Sequence, residues 1–200
     1  MGLDVTVIVG TYGGNEWIDL ANERAKPSVR DQAADVLHVH GETLAESRNA
    51  GAARASTEWL CFLDADDELT PGYMDAMARA SADLRGPAVA YVRPNGRAAA
   101  PKLWPRVDLA DGNYLLIGTL VRRDLFLEVG GFRGWPMYED WCLWQRCWLA
   151  GATIEQVPAA IYRAHVRPDS RNRAPGRDER ERWHHEIRRA NLPHLYQAAA

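Results

Sequence analysis

The stretch Trp59-Leu60-Cys61-Phe62-Leu63-Asp64-Ala65-Asp66-Asp67-Glu68 decides how this chain is read. Its first five residues are apolar and too few for an isolated helix, which suits a strand buried on both faces. The run then stops at three carboxylates. In open α/β sheets ligands bind at the carboxyl ends of strands, and two acids spaced i, i+2 there can hold a divalent cation and its cargo. The same acids, followed by Thr70-Pro71-Gly72, can equally form a solvated turn that caps the next helix. The stretch taken alone leaves both open.

Upstream, Leu3 to Val9 forms a β-branched run that breaks at Gly10-Thr11-Tyr12-Gly13-Gly14 and leads into a helix from about Asn15 to Ala25. No Gly-x-Gly-x-x-Gly fingerprint is present, so the paired glycines read as a turn. Asp35 to His40 is a second short strand. Thr43-Leu44-Ala45-Glu46 then supplies a capping box, and a helix runs through Arg48 and Asn49 to Arg54. Gly51 inside that helix costs about 1 kcal/mol relative to Ala, which close packing on a sheet would justify.

Downstream, a helix is expected from Pro71 to about Leu84 and a strand over Ala88 to Val92, with Asp67 as a capping acid. The Pro- and Gly-rich segment from Arg93 to Gly112 reads as a hairpin and loop. Arg122 to Val129 and Trp141 to Ala150 pattern as helices, the second closed by Gly151. Ala152 to Val157 and Ala160 to His165 read as two short strands. Trp141, Trp144 and Trp148 fall on a core-facing stripe, whereas Trp104 and Trp135, beside prolines, are better placed to stack on a sugar. The Arg-rich remainder can form a charged helix over Gly176 to Asn191, with Trp183 and Ile187 as its apolar stripe.

Two hundred residues with 46% hydrophobic content fit one domain of ordinary size. A net charge of −3 speaks against a general nucleic-acid binder. Cys61, Cys142 and Cys147 lack metal-type spacing and read as reduced thiols. The N-terminus is unlike a signal peptide and no run reaches membrane-spanning length, so a soluble, cytoplasmic protein is expected.

The order of signals carries more than any one of them. Thr11-Tyr12 after the first strand, Arg48-Asn49-x-Gly51 on a helix, Asp64-x-Asp66 at a strand end, Gly130-Gly131-Phe132, Glu139-Asp140 opening a helix and Tyr162-Arg163-x-His165 follow one another. This set resembles the family-2 glycosyltransferases over roughly residues 3 to 168. The resemblance implies an α/β fold, a single Rossmann-like GT-A domain with a mixed, mostly parallel sheet flanked by helices. Residues 1–168 would be its core, and 169–200 an Arg-rich loop and helix packed on or extending from it.

Carried onto this chain, the resemblance makes Asp64 and Asp66 the donor and metal acids and His165 a further metal ligand. Thr11, Tyr12 and Arg48 would bind the nucleotide sugar. Asp140 would be the catalytic base, with Glu139 near the acceptor. The implied activity is a metal-dependent, inverting transfer of a sugar from a nucleotide-diphosphate donor, UDP-linked by preference, to a hydroxyl of an unidentified acceptor. Hard oxygen ligands suit Mg²⁺ or Mn²⁺, and one imidazole favours Mn²⁺.

Two other readings stand beside it: a haloacid-dehalogenase-type phosphatase with Asp64 as nucleophile, and an inactive nucleotide-sugar-binding module. The chain departs from the family at His38-Val39-His40-Gly41-Glu42, where many relatives carry an acidic pair for the base, so the base stays open. The arginines from Arg167 to Arg173 are candidate diphosphate ligands.

Overall fold

The structure, a computed structural model, describes residues 2–32, 34–167 and 176–195. In chain order the strands are β1 (Val5–Tyr12), β2 (Asp35–Gly41), β3 (Trp59–Leu63), β4 (Glu68–Leu69), β5 (Leu84–Val92), β6 (Leu120–Arg122) and β7 (Ile154–His165). The helices are α1 (Asn15–Leu20), α2 (Lys26–Val29), α3 (Leu44–Arg54), α4 (Tyr73–Met77), α5 (Arg123–Glu128), α6 (Glu139–Leu149) and α7 (Arg177–Asn191). A π-helical turn, Ala21–Ala25, joins α1 to α2.

One sheet orders the strands β2-β1-β3-β6-β5-β7-β4. Three pairings are parallel and three antiparallel, but the parallel ladders are the long ones. This is the mixed α/β architecture the sequence implies. From β1 the chain departs to β2 on one side and reaches β3 on the other. The carboxyl ends of β1 and β3 therefore flank a crevice of the kind in which such sheets bind ligands.

Burial on both faces explains the apolar reading of β1 and β3: Val7, Ile8, Val9, Leu60 and Phe62 are fully buried. Phe62 packs edge-on against Phe132 at 4.8 Å and beside Phe126 at 5.2 Å. The capping box forms as expected, with Glu46 N–H donating to Thr43 Oγ1 and Thr43 N–H to Glu46 Oε2. Gly51 repays its helical cost through close packing, since a Cβ there would stand 2.4 Å from Ile8 Cγ2. Trp141 and Trp144 are core residues.

Three expectations are corrected. The helix after Pro71 ends at Met77, and Leu84 already opens β5. Buried Arg85 explains the stop: it stacks 3.9 Å over Trp59 and donates to the carbonyls of Met77 and Ala82. The two strands expected near the C-terminus are one, β7. Its register against β5 jumps from Val157 to Ile161, so Pro158, which cannot donate to a ladder, sits in the irregularity. Asp67 caps no helix. It is buried beneath the acidic turn, accepting from Tyr162 Oη at 2.9 Å and from the His165 N–H at 2.7 Å.

Candidate active site

Arg48 is the centre of the site. Its side chain is 2% exposed, and burial of a guanidinium requires that its donors be met. Nη2 donates to Asp64 Oδ1 at 2.6 Å and Nη1 to Glu139 Oε1 at 3.1 Å. One cation thus ties the end of β3 to the start of α6, joining acids 75 positions apart in the chain. Its neighbour Asn49 clamps the Gly130-Gly131-Phe132 turn at two points, through Phe132 O at 2.9 Å and Phe132 N at 2.8 Å. Gly131 lies at φ +62°, and a Cβ there would meet Asn49 Oδ1 at 2.6 Å. The Arg-Asn pair and the distant Gly-Gly-Phe turn are therefore one contact.

The acidic turn is held from beneath. Arg24, on the π-helical turn, donates to the Asp66 carbonyl at 2.7 Å. The Tyr162 hydroxyl, besides donating to Asp67, accepts from the Asp64 N–H at 3.3 Å. Burial, then the charge of Asp64, pushes the Asp66 carboxyl above its ordinary value. Asp67 is pushed up further, by burial and then by Asp64 and Asp66. Asp66 and Asp67 thus resist ionising beside their acidic neighbours, the electrostatic situation that a divalent cation relieves.

His165 ends β7 beside this turn, with Nε2 2.7 Å from Glu68 Oε2. Among the described residues no three His, Cys, Asp or Glu side chains converge as a metal cage. The hard-oxygen chemistry and mutual crowding of Asp64 and Asp66 nonetheless fit Mg²⁺ or Mn²⁺.

A cavity of about 840 Å³ opens over the turn. Thr11, Tyr12, Asp64, Asp66 and His165 line it, as do Trp17, Tyr91, Arg93 and Arg167, which the sequence reading did not single out except for Arg167. The Arg167 guanidinium lies 4.9 Å over the Trp17 ring. The remaining arginines of that expected diphosphate loop, Arg171 and Arg173, lie outside the described residues. Thr11 Oγ1 sits within hydrogen-bond reach of His38 Nε2 at 2.9 Å and His40 Nδ1 at 3.0 Å. His38 and His40 of β2 thus engage the β1 residue beside the cavity.

Asp140 opens α6 after Tyr138, the one described non-glycine residue with positive φ, at +57°. Such a conformation costs energy and clusters at functional sites. Asp140 Oδ1 accepts from the Trp141 N–H at 2.7 Å and Oδ2 from Asn113 Nδ2 at 3.2 Å. Burial, then the Glu139 charge, pushes the carboxyl up to about 7, while Arg48 pulls it down and Asp64 is close enough to add to the rise. Asn113 was not legible in the sequence, because it stands in a loop with no periodicity. That loop is pinned to α6 by Trp141 Nε1 and Gln145 Nε2, both donating to Leu109 O. Of the two tryptophans proposed to face a sugar, Trp104 is half-buried, and Trp135 packs edge-on to Trp183 of α7 at 6.0 Å.

The family model for "Glycosyl transferase family 2" matches residues 19–136. The "Putative glycosyltransferase EpsH" of Bacillus subtilis (strain 168) is 32% identical over 77 residues, covering 38% of this chain. The chain spans 22% of the length of that curated relative. Among solved structures, S. aureus TarS 1-349 in complex with UDP-GlcNAc superposes with a TM-score of 0.65 at 17% identity, covering 99% of this chain and 68% of that one. GalNAc-T7 with UDP, GalNAc and Mn²⁺ gives 0.57 at 13% identity, covering 84% and 45%. At these identities the structural likeness concerns the fold.

Proposed function

The chain belongs to glycosyl transferase family 2, and on that premise we propose that it transfers a sugar from a nucleoside-diphosphate donor, UDP-linked by preference, to a hydroxyl acceptor with inversion. The observation that carries this reading is Arg48, which holds Asp64 and Glu139 on one guanidinium. It joins a donor end, built on β1 and β3, to an acceptor end at the head of α6. The UDP-GlcNAc of the TarS complex and the UDP and Mn²⁺ of the GalNAc-T7 structure support a nucleotide-sugar donor used with a metal.

The donor enters the cavity with its nucleoside against Thr11 and Tyr12 and its diphosphate towards Asp64 and Asp66. A divalent cation held by Asp66 and Asp64 would neutralise charge developing on the departing diphosphate. His165 would be the further ligand: in the tautomer that donates Nε2–H to Glu68, Nδ1 would carry the free lone pair for a cation. Arg48 fixes Asp64 and holds Glu139 on the same guanidinium, at the acceptor end.

The acceptor oxygen attacks the anomeric carbon from the face opposite the diphosphate. The new carbon–oxygen bond forms as the bond to the phosphate oxygen breaks, and Asp140 takes the hydroxyl proton. General-base assistance of this kind contributes typically about 10²–10⁴-fold. Asn113 and the Trp141 N–H each hold one oxygen of the base. The phosphatase alternative fits less well, since Asp64 is engaged by Arg48 and Lys102 lies in a hairpin over the Tyr91 ring.

The test is a panel of UDP-, GDP- and dTDP-sugars assayed for transfer or hydrolysis with Mn²⁺, with Mg²⁺ and with chelator. Turnover of one donor is expected, lost with chelator and in Asp66→Ala. Activity that survives both treatments removes the metal from the mechanism. Nucleotide binding without turnover across the panel would make the chain a binding module.

A further inference from the structure

One wall of the cavity is continued by a segment with a charge bias that the donor chemistry does not use. Between Asp83 and Asp108 the chain carries Arg85, Arg93, Arg97, Lys102 and Arg106 and no acid, within a chain of net charge −3. Arg85 is buried and occupied with the end of α4. The other four are exposed, and among the described residues none of them forms an ion pair. An ordinary solvated surface intersperses both signs. Here one sign is segregated beside the cavity.

The segment is fixed in shape. Val89 and Lys102 exchange backbone hydrogen bonds at 2.9 and 3.0 Å, Ala99 N–H donates to Tyr91 O, and a turn closes where Gly96 N–H meets Arg93 O at 2.8 Å. Tyr91, Arg93 and Ala99 form part of the wall of the same cavity as Asp64 and Asp66. Lys102 Nζ lies 6.0 Å from the Tyr91 ring centroid. Two positions further on is half-buried Trp104, whose carbonyl accepts from Gln156 Nε2 at 2.9 Å. Arg106 then stands 5.8 Å over Tyr114, beside a second, shallower hollow that Trp148 and Thr153 also line.

Outward from the cavity the cations Arg93, Lys102 and Arg106 are thus interspersed with the half-buried rings of Tyr91 and Trp104, while Tyr114 is buried beneath Arg106. From Val92 back to the Lys102 partner Val89 is three residues, about 10 Å at roughly 3.3 Å per residue. That span exceeds the adjacent phosphates of one donor. Aromatic faces suit sugar rings, and guanidinium groups suit phosphate or carboxylate oxygens.

The geometry points to a glycan chain carrying acidic groups as the acceptor, docked along residues 93–106 with its reacting hydroxyl in the cavity. This rests on the transferase reading above and deepens it.

Fluorescence anisotropy on the full chain with Mn²⁺ tests it. The probes are a labelled heparin-derived oligosaccharide, a neutral dextran oligosaccharide of equal length, and polyglutamate of matching charge. The heparin fragment is expected to bind most tightly, with affinity falling about tenfold between about 50 and about 200 mM salt. The double variant Arg97→Glu, Lys102→Glu is expected to weaken that binding at least about tenfold. Its UDP affinity and its rate of UDP-sugar hydrolysis should match the wild type, because neither residue lines the cavity.

Equal binding of dextran, equal binding of polyglutamate, or heparin binding untouched by the charge reversal would each overturn the assignment. A parallel loss of UDP affinity in the double variant would assign the segment to the donor diphosphate and overturn it too. Absence of both transfer and hydrolysis across the donor panel in the wild-type protein defeats the transferase reading itself, so the two failures are separable.

Discussion

Asp140, the proposed base, shows how burying one carboxyl comes at the expense of stability. Burial and the Glu139 charge push it up to about 7, whereas an unfolded Asp titrates near about 3.9. The folded chain holds this proton more tightly than the unfolded one. The stability it contributes is fully present below about pH 4 and is lost as the pH rises through about 7. Asp140→Asn removes that loss, so its Tm is expected to exceed the wild type's at about pH 8 and to match it near pH 4. Each kcal/mol gained appears as about 2–4 °C in a domain of this size. Turnover should fall about 10²–10⁴-fold in the same variant. In the wild type kcat/KM should climb with pH to a plateau above about 7, and a profile flat from about pH 5 to about 8 would remove Asp140 from the base role. The proposal of Asp140 as base comes from its place in the ordered motifs. Its raised proton affinity was not legible there, because the helix N-terminus alone would lower it, and the burial that outweighs this depends on tertiary packing that no local pattern shows.

Elements were legible in proportion to how local their causes are. The capping box on α3 needs four adjacent residues and formed as read. The end of α4 is set by Arg85, which belongs to the following strand, so composition alone extended that helix to Leu84. The irregularity in β7 mimics a strand break, since proline interrupts pairing whether the strand ends or bulges. Gly51 shows a helix subordinated to the sheet beneath it. In isolation Gly51→Ala would favour the helix by about 1 kcal/mol. In this chain the added methyl would lie 2.4 Å from Ile8 Cγ2, and Ile8 is fully buried between β2 and β3 with no room to retreat. The variant is therefore expected to lose about 1–3 kcal/mol, the usual cost of overpacking. Chemical denaturation measures it directly. The accompanying shift of α3 would displace Arg48 and Asn49 together, so the remaining folded protein should also lose turnover. A variant as stable as the wild type would show that α3 is looser on the sheet than its contacts indicate.

At the scale of the whole molecule, α7 closes a chain of contacts that ends at Asp140, the proposed base. Ile187 is fully buried, which by area contributes about 1.5–3 kcal/mol to docking of the helix. His184 stacks on Trp141 at 4.3 Å with its Nε2 3.1 Å from Asp111 O, and Arg188 Nη2 donates to Asp111 Oδ1 at 2.8 Å. Asp111 lies between Leu109, which receives two side-chain donors from α6, and Asn113, which donates to Asp140. The exposed Arg188–Asp111 pair is worth only about 0–1 kcal/mol in stability, so any large effect of loosening it must act through position. The double variant His184→Ala, Arg188→Ala should accordingly keep its fold and its UDP affinity, since both residues lie away from the cavity wall. Freed from α7, the loop would admit water to Asp140. Hydration favours the ionised carboxylate, so the acid limb of kcat/KM is expected to move below about 7 while the plateau rate falls about tenfold through lost alignment of the base. The pH profile is the decisive measurement. A purely structural helix would lower the amount of folded enzyme and leave the limb where it is, whereas a helix that positions the base moves it.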